Sequence, residues 1–140
     1  MGNNEWLEYN LKPLLNSVIA LLQSITSQGG GNVLVEGSAT NIPVSTKSTV
    51  VSYTNAETVP VYITGVVGTG NKTGTWTIDM PDGVSTRTLT KRTSFNAPNF
   101  GHSFVPGFKL AVGESITVSV EQTDSATNSF TGFILGYKTS

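Results

Sequence analysis

The stretch Lys109-Leu-Ala-Val-Gly-Glu-Ser-Ile-Thr-Val-Ser-Val-Glu121 carries the strongest structural pattern in this chain. Ile116, Val118 and Val120 alternate with Thr117, Ser119 and Glu121, the period of a strand with one face in a core and the other in water. Gly113-Glu114 reads as a turn and Lys109 to Val112 as the opposite arm, so a hairpin is expected here. Downstream, Phe130-Thr-Gly-Phe-Ile-Leu-Gly-Tyr137 is apolar on both faces, with Phe130 and Ile134 on one and Phe133, Leu135 and Tyr137 on the other. A strand wet on one side does not read that way. This one is central, or its second face meets another subunit.

The same period recurs upstream. Val33-Leu-Val35 is a short strand and Thr49 to Thr54 a second. Val59, Val61 and Ile63 alternate with Pro60, Tyr62 and Thr64, and Pro60 argues for an edge or a strand start. Trp76, Ile78 and Met80 share one face, and Asp82-Gly83 is a hairpin signal leading to a return strand over Thr86 to Thr90. Gly65, Gly68, Gly70 and Gly74 predict a loop around Asn71-Lys72. Ser94 to Gly107, with Pro98, Gly101, Pro106 and Gly107, is expected to be the least regular part. About eight short strands at this spacing predict an antiparallel β-sandwich, jelly-roll-like or immunoglobulin-like.

The N-terminal region has a different period. Leu7, Leu14 and Leu21 recur every seventh residue, as do Leu11, Val18 and Ile25, which are the d and a positions of a heptad. Leu15 and Leu22 at e and Ile19 at b widen the stripe. Asn10 is a good N-cap, and Pro13 is tolerated in a first turn, so the helix is expected from about Leu11 to about Ser27. A lone helix of that length is marginal in water, so its stripe must be buried. The predicted organisation is a mainly β chain with a helical oligomerisation stalk over 1–28, a glycine linker over 29–32 and a β-sandwich head over 33–140. The stalk contacts expected are Leu7, Leu11, Leu14, Leu15, Val18, Leu21, Leu22 and Ile25. Val at a with Leu at d suits two strands, whereas Leu15 and Leu22 push towards three, and three is the expectation.

Composition removes several function classes. Only 12% of residues are charged and the net charge is −1, so no basic field holds phosphates and nucleic-acid binding is not expected. Cysteine is absent, so disulfides, thiolate nucleophiles and Cys-ligated metals are excluded. Glu5 and Glu8 precede Lys12, the wrong sign for a secretory leader. Asn16, Ser17, Gln23 and Ser24 interrupt the apolar stretch well short of a membrane span. An unprocessed chain without membrane insertion is expected.

Chemistry is sparse. His102 is the sole histidine, with no nucleophile elbow to serve, and reads as a loop or interface residue. Asp79 and Asp82 flank a hairpin turn, which accounts for Asp before Gly better than a cation site does. The Gly65 to Gly74 loop has no following helix and matches no phosphate cradle. Asn71-Lys72-Thr73 fits a glycosylation triplet too short to weigh alone. No cofactor is expected. Among the aromatics, Trp76 reads as core, Tyr53 and Tyr62 can stack on sugar rings, and Tyr62 is the better ligand-contact candidate because it points opposite to Val61 and Ile63.

A short helical stalk, a glycine joint and a Thr/Gly-rich β-head resemble the small structural proteins of tailed bacteriophages: head fibres, capsid decoration proteins and tail-fibre or spike modules. Leu110 to Val120 followed by Phe130 to Tyr137 is similar in style to the closing strands of such domains. The resemblance implies a non-enzymatic homotrimer on the virion surface, in contact with other virion proteins, whose head either binds a host receptor or glycan or braces the capsid. The competing class is a carbohydrate-binding or adhesion module. Within a trimer, Phe130 and Ile134 are expected at the threefold axis, with Gly132 and Gly136 leaving room for a neighbour and Phe133, Leu135 and Tyr137 filling the sandwich.

Overall fold

The computed structural model describes residues 12–18, 29–94 and 96–139. Alternating apolar and hydroxyl side chains build eight strands: β1 Gly29–Thr40, β2 Ser48–Thr54, β3 Val61–Gly70, β4 Gly74–Asp82, β5 Ser85–Thr93, β6 Phe100–Leu110, β7 Ser115–Gln122 and β8 Ser129–Thr139. They form two four-stranded antiparallel sheets, in the orders β1-β8-β3-β6 and β2-β7-β4-β5. With eight strands exchanged between two sheets, this is the jelly-roll arrangement rather than the immunoglobulin one.

The connections depart from the sequence reading. Only β4 and β5 are joined by a local hairpin, through Asp82 and Gly83, and Gly83 takes a φ of 65° that the turn requires. The expected hairpin over 109–121 is instead an arch. Its first arm ends β6 in one sheet and its second arm is β7 in the other. The turn is held by Gly113 N–H donating to Asn55 O (2.7 Å) and by Glu114 carboxylate accepting from Ala111 N–H (2.8 Å).

The expected loop from Gly65 to Gly74 is mostly strand, reduced to a corner at Asn71–Thr73 between β3 and β4. The glycines there admit aromatic rings. A Cβ on Gly68 would strike Phe100 and Trp76, and one on Gly70 would strike Phe130. Much of the supposedly irregular 94–107 segment is likewise β6, an edge strand carrying a cis Val105–Pro106 peptide. The expected glycine linker lies within β1, where Gly29 faces Thr139 and Asn32 faces Tyr137, with a bulge between them and Gly31 at φ 117°.

The core lies between the sheets and is made of Val33, Val61, Ile63, Val66, Leu110, Phe130 and Ile134 from one sheet, Val50, Val51, Trp76, Ile78, Met80, Ile116, Val118 and Val120 from the other, and Ile42 from the β1–β2 connection. Phe130 and Ile134 are fully buried in the single chain, so they are not free to lie on a symmetry axis. The assignment of the two faces of β8 is therefore the reverse of the expected one, and Tyr137 is the outward residue. Gly132 and Gly136 leave no room for a neighbour either. A Cβ on Gly132 would meet Val51 at 3.0 Å, and one on Gly136 would strike the Tyr62 backbone.

Three buried amides fasten the loops. Asn128 Nδ2 donates to Ile42 O (2.8 Å) and Ser125 O (3.0 Å), and its Oδ1 accepts from Ile42 N–H (3.0 Å). Gln122 Nε2 also donates to Ile42 O (2.9 Å), and Gln122 Oε1 accepts from the N–H groups of Asp124 (2.8 Å) and Ser125 (3.0 Å). At the other end Asn55 Nδ2 donates to Val59 O (3.0 Å) and Leu110 O (2.9 Å). Each satisfies backbone groups that strand pairing leaves open, as buried polar atoms must.

Residues 12–18 are helical, with Ser17 Oγ donating to the Pro13 carbonyl (3.0 Å). Leu14, Leu15 and Val18 are 62%, 53% and 46% exposed. Leu7, Leu11, Ile19, Leu21, Leu22 and Ile25 lie outside the described residues.

Candidate functional site

The groups with chemical potential are used within the fold. His102 sits on β6 opposite Val66, with its ring 4.7 Å from that of Phe104, edge to face. No hydroxyl or carboxylate among the described residues hydrogen-bonds to it. Asn71 Oδ1 accepts from Ser129 N–H (2.8 Å) and Asn71 N–H donates to Ser129 O (3.1 Å), which fixes the β3–β4 corner. Tyr53 packs against the core rather than presenting a platform. Burial is the main cause that raises its phenol pKa, with Glu57 adding to the shift and Lys138 opposing it. Among the described residues no group of three or more His, Asp or Glu side chains is placed to hold a metal. No described helix is long and apolar enough to cross a membrane.

Asp79 and Asp82 serve different partners. Asp82 pairs with Arg87 at 3.2 Å across the hairpin. Asp79 accepts from Thr88 Oγ1 (2.6 Å) and Lys47 Nζ (3.2 Å). Its pKa is lowered below the ordinary 3.8, chiefly by the Thr88 hydroxyl; burial opposes the shift, and Lys47 adds to it. A carboxylate depressed in the folded state contributes stability above its unfolded pKa and loses it as pH falls through the folded one. Asp79→Asn is therefore expected to lose stability at neutral pH and to flatten the fall below about pH 4, so that the variant and the parent chain converge in acid. Urea midpoints measured from neutral to strongly acidic pH test this, and a parallel offset at every pH would contradict it.

The informative geometry is on the outer faces of the two sheets, which differ in kind. The outer face of β2-β7-β4-β5 is hydroxylated. Ser52 and Thr117 are 3.0 Å apart, Thr54 and Ser115 2.6 Å, and Thr75, Thr88 and Thr90 continue the pattern beside Asp79 and Arg92. The outer face of β1-β8-β3-β6 is apolar through its middle. Register sets Asn32, Tyr137, Tyr62 and Lys109 side by side in one row. The next row holds Leu34, Leu135, Gly65 and Ser103, and the third Glu36, Phe133, Val67 and Gly101. Leu34 is 66% exposed and Val67 39%.

Tyr62, singled out as a ligand contact, belongs to this face. Its ring stacks on Tyr137 with centroids 5.4 Å apart and planes 13° from parallel. The structure thus brings Tyr62 together with Tyr137, Leu135 and Phe133, and separates all of them from Phe130 and Ile134. Leu34 was hidden in the sequence, because Val33-Leu-Val35 reads as uniformly core. Alternation along β1 settles it, since Val33 faces inward and Leu34 outward.

No protein-family model and no curated protein sequence matches this chain. Solved structures do. The capsid structure of Helicobacter pylori bacteriophage KHP30 contains a chain that superposes with a TM-score of 0.55 at 8% identity, covering 80% of this chain and 91% of that one. Weaker likenesses are to the crystal structure of FLHE (TM-score 0.39, 10% identity, 78% of this chain and 99% of that one) and to the virus-like particle of the extra small virus of the prawn Macrobrachium rosenbergii (TM-score 0.35, 11% identity, 78% and 79%). At these identities the likeness is one of fold: this chain shares the β-sandwich of a phage capsid protein.

Proposed function

We propose that the chain is a non-enzymatic structural protein of a phage virion, trimerising through its N-terminal helix and displaying the jelly roll as a head. The observation that carries this reading is the likeness to the KHP30 capsid chain, which spans nearly all of that chain. Two features of the molecule support it. His102 packs edge to face on Phe104 and Asp79 and Asp82 are held by structural partners, while Leu14, Leu15 and Val18 stand exposed along one helix. A stripe of that width is stable once several copies bury it together. In this reading the protein is localised to the particle, and its partners are its own copies and neighbouring virion proteins. In this reading the half-buried Tyr62, stacked on Tyr137, is the contact for a host receptor or glycan at the head.

Leu14→Asp combined with Leu21→Asp is expected to reduce a trimer to smaller species while leaving the head folded, because both positions fall in the heptad seam. Light scattering and circular dichroism on the full chain check this together. An unchanged mass means that the helix does not hold the copies. The virion assignment itself is tested by mass spectrometry of density-purified particles from the phage that encodes the chain, where it is expected at many copies per particle. Its absence from particles overturns the assignment.

A further inference from the structure

We propose that the apolar outer face of β1-β8-β3-β6 is a second, self-complementary interface, which packs against the same face of another copy of this chain. This contact is independent of the helix and joins heads that belong to different stalks. Tyr137, Tyr62, Leu34, Leu135, Phe133 and Val67 make its centre, and no charged side chain interrupts them. Aromatic enrichment with depletion of charge at the middle is the composition of a buried contact core. The opposite sheet of the same molecule shows what a face left to water looks like here: hydroxyls with Asp79 and Arg92, and Lys47 reaching Asp79 from the connection before β2.

The occupant is argued from charge. Two charged residues flank the apolar rows, Glu36 at the β1 edge of the Phe133 row and Lys109 at the β6 edge of the Tyr62 row. They occupy diagonally opposite corners, both are exposed, and neither forms an ion pair among the described residues. Lys47, Arg87 and Lys138 are paired within the chain, and of the unpaired charged residues described, Glu36 and Lys109 are the two that lie on this face. Three strand spacings of about 4.8 Å and four residues of about 3.4 Å make the face nearly square, roughly 14 Å on a side.

A twofold axis lying in the face along its other diagonal, from the Asn32 corner to the Gly101 corner, exchanges the two charged corners. Each copy's Glu36 then meets the other's Lys109, and the strands of the two faces cross near a right angle, one of the two packing modes open to sheets. A twofold contact is isologous, so the salt bridge forms twice from a single pair of residues. An unrelated partner would have to supply both opposite charges at the right corners. A second copy supplies them by symmetry.

The test uses the full chain carrying Leu14→Asp and Leu21→Asp, so that only the face can associate. Sedimentation equilibrium is expected to show a reversible dimer. Adding Leu34→Glu is expected to abolish it without lowering the melting temperature, because Leu34 is outside the core. Glu36→Lys alone and Lys109→Glu alone are each expected to weaken dimerisation roughly tenfold by setting like charges against each other, and the two together to restore it. A chain that stays monomeric at every concentration overturns the second copy as occupant and leaves the face to a different virion protein. Failure of the double reversal to restore what the single reversals lose overturns the twofold pairing. If the stalk variant keeps a trimeric mass, the helix reading has failed instead, and the Leu34→Glu arm still reports on the face.

Discussion

Ile134→Lys is expected to leave the β-sandwich unfolded at neutral pH, whereas Leu135→Lys leaves it folded. Ile134 is fully buried on β8 between Val35 of β1 and Val66 of β3. A lysine there forfeits the burial of the isoleucine, worth about 1.5–3 kcal/mol. It must also carry its ammonium into the core or shed the proton, at a further cost of several kcal/mol. Against a total stability of about 5–15 kcal/mol, that sum is enough to unfold the domain. Leu135 points the other way, beside Leu34 and Gly65 on the outer face, where a lysine stem can lie along the sheet with its head in water. Circular dichroism with thermal melts separates the two. A folded Ile134→Lys with an unfolded Leu135→Lys would mean that β8 is turned over.

Trp76→Ala is expected to cost about 3–5 kcal/mol, the range for removing a large buried aromatic side chain. Trp76 lies at the centre of the sandwich, with the Phe100 ring 5.0 Å away and tilted and the Phe130 ring 5.7 Å away and edge-on. Its Nε1–H donates to Thr93 Oγ1 (3.2 Å), whose hydroxyl is in turn aimed at Gly74 O (3.3 Å). The ring is tightly enclosed, since Gly68 and Gly74 are the residues that let the backbone come this close. Truncation therefore opens a void and frees a buried hydroxyl from one partner. Trp76→Phe keeps much of the packing and loses the hydrogen bond, so it should fall between the wild type and Trp76→Ala in urea midpoint. Equal midpoints for Trp76→Ala and wild type would show that the ring is not the keystone of this core.

The parts of this architecture legible in the chain were those set by local period. Trp76, Ile78 and Met80, then Ile116, Val118 and Val120, alternate cleanly and are buried as the alternation implies. Asp82-Gly83 makes the hairpin that its residues predict. What stayed hidden depends on partners distant in sequence. Gly113-Glu114 reads as a hairpin turn because two strands so close together usually pair, yet here the chain crosses from one sheet to the other. Gly68, Gly70 and Gly74 read as loop formers because glycine's other role, admitting a ring against the backbone, depends on where Phe100, Phe130 and Trp76 end up. Phe130 and Phe133 are equally apolar, so composition does not say which of them faces the core. The candidate surface was visible only as a strand with two apolar faces, and its charged corners came from register, which brings Glu36 and Lys109 onto one plane.

The scarcity of local pairing reaches back to how the molecule is made. Apart from the β4–β5 hairpin, each strand's sheet neighbours are remote in the chain, and β8 is the element that joins β1 to β3. On a ribosome, β1 emerges early and must wait for residues 129–139 before it has any partner in its sheet. Through that interval Val33 sits on an unpaired strand and β3 has only β6 as a partner, its other edge open, a state prone to misassociation while the slow long-range closure is pending. A nascent chain that has not yet reached β8 therefore has neither a finished core nor the outer face that Phe133, Leu135 and Tyr137 complete.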